Sequence, residues 1–136
     1  MNPRAKGRVA ACTPEQARSR RTQARAFLDV ADMVLAEPAT QSETHVAAAL
    51  AVLAAIAATD AICGLRLGQY SRSQDHDQAV ALLESVDVGD PSLSAKLRRI
   101  LASKDAVHYS ARLIAKSDAQ ALVRQAGLLV DAVERL

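Results

Sequence analysis

The feature that most constrains this chain is an apolar run of thirteen residues, Val46 to Ala58, built mainly from Ala, Val and Leu and closed by Thr59 and Asp60. The run is apolar nearly all round rather than along one stripe. It therefore reads as a helix buried on every side, the centre of whatever the rest of the chain builds. Thirteen residues fall short of the ~20 that a membrane span requires, so no membrane is expected. The composition agrees: 136 residues with one Phe, two Tyr and no Trp leave few strand-building side chains and abundant helix formers. An all-β fold is excluded, one domain is the natural size, and neither a strand candidate nor an internal repeat is visible.

Punctuation places the remaining helices. Residues 1–12 read as a basic flexible arm and 13–136 as a single helical domain. Thr13, Pro14 and Gln16 form an N-cap, a first-turn proline and a capping box, predicting a first helix from Pro14 to about Glu37, where Pro38 stops it. Its second half carries the apolar positions Phe27, Val30, Ala31, Val34 and Leu35. The first half lacks such a stripe and is expected to project or pack weakly. Ser42 or Thr44 caps a second helix that ends at Leu67, with Gly68 as its C-terminal stop. A third runs from about Asp75 to Val86. A fourth, capped by Asp90, runs to about Ala115, and a fifth from Asp118 to Leu136 opens on a Ser117/Gln120 capping box. Five helices with short connections predict an all-α, up-and-down four- or five-helix bundle.

Two polar side chains fall where a core should be. On the fourth helix Leu93, Leu97, Ile100, Leu101, Ala111 and Ala115 define the apolar face, and Lys104 and His108, four residues apart, fall near its middle. A buried ammonium needs a partner, and Asp60, the one charge inside the central helix, is the expected one. Asp60, His76, Lys104, His108 and Tyr109 thus form a candidate polar cluster: either a satisfied structural network or the lining of a binding groove or dimer seam.

The charge is uneven. Residues 1–28 hold seven Lys or Arg against Glu15 alone, close to +6, and the remainder sums to about −4. Arg18, Arg20, Arg21 and Arg25 are therefore candidate nucleic-acid contacts through phosphate, without sequence readout, because no aromatic stacking platform accompanies them. The alternative is a solvated, solubilising arm. No convincing helix-turn-helix can be placed.

Phosphate loops, nucleophile elbows, HExxH and paired CxxC are all absent from the sequence, and no cofactor or metal site is expected. Cys12 and Cys63 stand in no metal-ligand spacing and read as plain thiols of a reducing cytoplasm. The first eleven residues lack the apolar stretch of a secretory signal.

The stretch AATDAICGLRLGQYSRSQDHDQAVALL (Ala57 to Leu83) and the stretch LRRILASKDAVHYSARLIAKSDAQALVRQAGLLVDAVERL (Leu97 to Leu136) together resemble small bacterial proteins of the HEPN-like group (higher eukaryotes and prokaryotes nucleotide-binding). The likeness lies in a central small-residue helix ending in Gly, a DH pair opening the next helix, a K-D-x-x-H-Y segment and a Ser-capped final helix. It implies a helical bundle that commonly forms homodimers and is often encoded with toxin-antitoxin or defence systems. Many members are metal-independent ribonucleases built on an Arg-x(4–6)-His motif. Here Arg72 to His76 and Lys104 to His108 each enclose three residues, and Lys replaces Arg in the second, so no position inherits a catalytic role by strict match. The expectation is a cytoplasmic, mainly non-catalytic HEPN-like module, a homodimer, binding RNA, DNA, a nucleotide or a cognate protein. The alternatives are an endoribonuclease in which His108 is the acid/base and Lys104 the phosphate ligand, and a purely structural interaction protein.

Overall fold

The computed structural model describes residues 8–72, 76–109 and 111–136. Its elements are, in order, β1 (Val9–Ala11), α1 (Pro14–Ala36), α2 (Gln41–Leu67), β2 (Gln69–Ser71), α3 (His76–Glu84), α4 (Leu93–Ala102), α5 (Lys104–His108) and α6 (Lys116–Glu134). The fold is all-α in class, with one small antiparallel ribbon.

α1 opens as its residues dictate: Thr13 Oγ1 accepts the Gln16 N–H and the Gln16 side chain accepts the Thr13 N–H, closing a capping box ahead of Pro14. α2 starts earlier than expected. Its cap is Thr40 rather than Ser42 or Thr44, and Thr40 forms the reciprocal box with Glu43. It ends as predicted, with Gly68 at φ 68° donating its N–H to the Gly64 carbonyl, a conformation that suits a residue without Cβ.

By length and composition the whole of α2 could cross a bilayer, but its most apolar stretch is two-thirds buried against the other helices. It is the core helix. Ala47, Ala48, Ala51, Val52, Ala54, Ala55, Ala58 and Ile62 are inaccessible, and α1 and α6 pack along it. Small side chains let backbones approach closely. At Gly64 an added Cβ would stand 2.6 Å from Cys12 Sγ and 2.8 Å from Ala17 Cβ.

That approach corrects the expectation for the first half of α1. Ala17 and Ala24 are fully buried, and two of the arginines tie the helix down. Alanine supplies burial there without a visible hydrophobic stripe. Part of the expected arm is likewise built into the fold. Val9–Ala11 pairs with Gln69–Ser71 in the register Val9↔Ser71, Ala10↔Tyr70, Ala11↔Gln69, and buried Cys12 donates its N–H to the Gly68 carbonyl. Residues 1–7, with Arg4 and Lys6, lie outside the described residues.

The expected fourth helix divides. α4 ends at Ser103, whose hydroxyl turns back to the Arg99 carbonyl, and α5 lasts five residues. At the end of α5 the Val107 carbonyl accepts from the His45 ring. Ala111 and Ala115, expected on the apolar face, are exposed. α3 begins at His76; the expected start, Asp75, lies outside the described residues. Asp90 makes an Asx turn, its carboxylate accepting the Ser92 N–H and hydroxyl, while Ser92 occupies the cap position of α4. α6 begins at Lys116 behind an extended Ala115, which places Ser117 inside the first turn, so the Ser117/Gln120 box does not form.

Candidate functional site

Asp60 and Arg20 define the site. Asp60 sits near the C-terminal end of α2, and Arg20 Nη2 on α1 donates to its Oδ2 at 2.8 Å. Arg20 also donates from Nη1 to Gln23. The pair therefore corrects the expected one: the partner of Asp60 is Arg20, reached across the α1–α2 seam, and not Lys104. Sequence spacing on one helix could not reveal a contact forty residues away in the chain. The Asp60 side chain is only 14% exposed, and burial raises its pKa from the ordinary carboxylate value despite the opposing pull of the guanidinium.

Asp60 stands between two hollows. On one side is an open pocket of about 500 Å³ lined by Ala11, Cys12, Gln16, Ser19, Arg20, Asp60 and Tyr70. Its floor exists because β1 pairs with β2 and brings Ala11 and Cys12 against the start of α1. On the other side is a cavity of about 70 Å³ lined by Ile56, Thr59, Asp60, Ser71, His76, Ala79, Leu97, Leu101 and Lys104. Three of the five predicted cluster residues, Asp60, His76 and Lys104, thus converge from α2, α3 and α5. Lys104 is half-buried and makes no ion pair with any described carboxylate. Arg20 and Lys104 outnumber Asp60, so the formal charge of the site is positive.

The two cysteines near Asp60 are buried, and burial disfavours the thiolate. Burial, followed by the Asp60 charge, raises the Cys12 pKa; burial, Asp60 and Cys12 push Cys63 up to about 12. Both cysteines are free, as expected. A larger hollow of about 570 Å³ lies under the α3–α4 connection, but its acids are engaged nearby: Asp87 accepts the Gly89 N–H, Asp90 is held by Ser92, and Glu84 faces Arg98. It offers no converging groups.

His108 and Tyr109 lie apart from this site. His108 ends α5, its Nε2 buried without a partner, and burial, Lys104 and His45 together lower its pKa. Tyr109 is 74% exposed, its ring 6.1 Å from that of His108. Lys104 and His108 are therefore neighbours in charge without sharing the cavity that Lys104 lines.

The basic stretch of α1 is partly spent inside the molecule. Arg25 holds Glu134, Asp131 and Asp29, and these carboxylates raise its pKa, with Glu134 contributing most. With Arg20 on Asp60, only Arg18 and Arg21 of the four candidate contacts make no described ion pair. No cluster of three or more metal-ligating side chains occurs among the described residues.

His45 was missed by sequence reasoning. A histidine at the edge of an apolar helix carries no local signal of the two backbone groups that its ring joins, both more than sixty residues away. Compared with protein-family models, curated proteins and solved structures, the chain matches none.

Proposed function

We propose that this chain is a non-catalytic, cytoplasmic, HEPN-like bundle that binds a small anionic ligand of the nucleotide class in the groove on either side of Asp60. The observation that carries the reading is the convergence of Asp60, His76 and Lys104 on one cavity that adjoins, through Asp60, the pocket lined by Arg20 and Tyr70. The open pocket has the size of a small-molecule site. Tyr70 offers an aromatic face, Gln16 and Ser19 offer hydrogen bonds, and the ammonium of Lys104 serves as a point charge for phosphate. The pocket demands no nucleophile, which fits the raised pKa of Cys12.

Calorimetric titration with nucleoside monophosphates and with inorganic phosphate tests this. Binding that weakens about tenfold in Lys104→Ala, and is weakened also by raised salt, supports it. Absence of binding by every probe, or identical binding in the variant, rejects it. Regulation of a partner or a linked toxin-antitoxin or defence system, with ligand occupancy as the signal, is part of the same proposal. So is a homodimer, for which exposed Val30, Met33 and Val46 supply apolar surface. Light scattering on the purified protein measures that directly.

The endoribonuclease reading has less support, because His108 Nε2 is buried and the ring does not line the cavity that holds Lys104. RNA cleavage indifferent to chelator and abolished by His108→Ala would establish it. Extended nucleic-acid binding along α1 is weakened by the engagement of Arg20 and Arg25 in internal ion pairs.

A further inference from the structure

His45 lies in the second turn of α2, and its ring joins two backbone points beyond it. Nε2 donates to the Val107 carbonyl in the last turn of α5, and Nδ1 accepts the N–H of Ile114 at 3.3 Å, on the run into α6. One neutral tautomer, with its proton on Nε2, satisfies both. A second proton has one place to go, Nδ1, where it meets the Ile114 N–H. Donor would then face donor, and the contact opens.

The surroundings work in the same direction. His108, close enough to feel the His45 charge, has a buried Nε2 with no partner and a pKa lowered by burial, Lys104 and His45. Acidification thus adds positive charge to a neighbourhood that already holds Lys104. The other ionisable groups on the elements around His45 are Asp105 and Tyr109 at α5, Arg112 beyond it, Lys116 and Asp118 at the start of α6, Glu43 on α2 itself, and, in the second half of α1 and just past its end, the exposed acids Asp29, Asp32 and Glu37. Asp105, Lys116, Asp118 and Glu43 are exposed, and Glu43 is engaged at the Thr40 cap.

We propose that His45 is an acid-sensitive clamp: the neutral ring holds the end of α5 and the run into α6 against α2, and a second proton on that ring releases them while α1, α2 and α6 stay folded. Because α5 begins at Lys104, release also loosens the ammonium from its cavity. Only that last consequence rests on the anion-binding reading.

Hydrogen exchange on the full chain, followed by mass spectrometry at pH 7.5 and 5.5 and corrected for intrinsic rates, tests the clamp without any ligand. Peptides covering Val107 and Ile114 are expected to exchange at least about tenfold faster at the lower pH, with α1, α2 and α6 unchanged. His45→Gln keeps a donor and an acceptor but takes up no proton, and is expected to abolish the difference. An unchanged exchange rate, the same response in His45→Gln, or a response abolished by His108→Gln instead, overturns the proposal. If His45→Gln is open at both values, the imidazole nitrogen spectrum of the unaltered protein decides. The Nε2–H tautomer giving way to the doubly protonated ring as Ile114 loses protection supports the clamp; the same change with Ile114 still protected refutes it. Failure here leaves the ligand titrations untouched, and failure of those titrations leaves the clamp standing.

Discussion

Gly64 shows how a single hydrogen atom can matter in a helix. Replacing glycine by alanine in mid-helix ordinarily stabilises by up to about 1 kcal/mol. Here the new methyl would meet Cys12 Sγ at 2.6 Å and Ala17 Cβ at 2.8 Å, and forcing a group into packed surroundings costs about 1–3 kcal/mol. Overpacking wins, so Gly64→Ala is expected to lower the urea midpoint, and a raised midpoint would show that β1 and α1 yield freely. Asp60 carries a pH prediction. Its pKa is raised in the fold, chiefly by burial, so its contribution to stability is full below the ordinary carboxylate range and is lost as pH rises through the folded value. Asp60→Asn should therefore gain on the unaltered protein as pH climbs from about 3 toward neutral, a difference read from paired urea titrations. The sequence pointed to an inward-facing Lys104 in need of a partner and paired it with Asp60, yet the cation on Asp60 is Arg20. Arg20 approaches from another helix, a contact that one-helix periodicity does not encode. Removing Lys104 alone is thus expected to change stability by less than about 0.5 kcal/mol, as for a side chain with no structural partner. Arg20→Met, which strands a largely buried carboxylate, is expected to cost about 2 kcal/mol.

At the scale of elements, boundaries marked by self-contained signals were legible, and boundaries set by distant groups were not. The Thr13 box and the Gly68 stop are local chemistry, visible in a few adjacent letters. The His45 contact with the Val107 carbonyl at the end of α5, and the pairing of Val9–Ala11 with Gln69–Ser71, join groups that are not near in sequence. Three-residue strands also lack the alternation by which a strand is recognised. The α1–α6 seam has its own test. Arg25 joins α1 to Asp131 and Glu134 and lowers the pKa of Glu134, so the clamp is present at neutral pH and is lost as pH falls through that carboxylate's folded value. The groups are about a third exposed, so Arg25→Met is expected to cost about 1 kcal/mol at pH 7 and less at pH 3, measured by thermal denaturation.

For the whole molecule, the all-α class and the central position of the apolar helix followed from composition and pattern. The groove did not, because it is assembled from β1, α1, α2, β2, α3, α4 and α5 at once. The charge asymmetry was real in sequence and partly dissolved by folding, as Arg20 and Arg25 found acids on α2 and α6. What remains is a positively charged hollow around Asp60. The most direct test of its role is an amide nitrogen–proton correlation spectrum of the protein titrated with adenosine monophosphate. Saturable shifts gathered at Gln16, Arg20, Asp60, Tyr70, Ser71, His76 and Lys104 are the expected result. A spectrum that does not move, or moves only along the outer face of α1 at Arg18 and Arg21, would contradict the account.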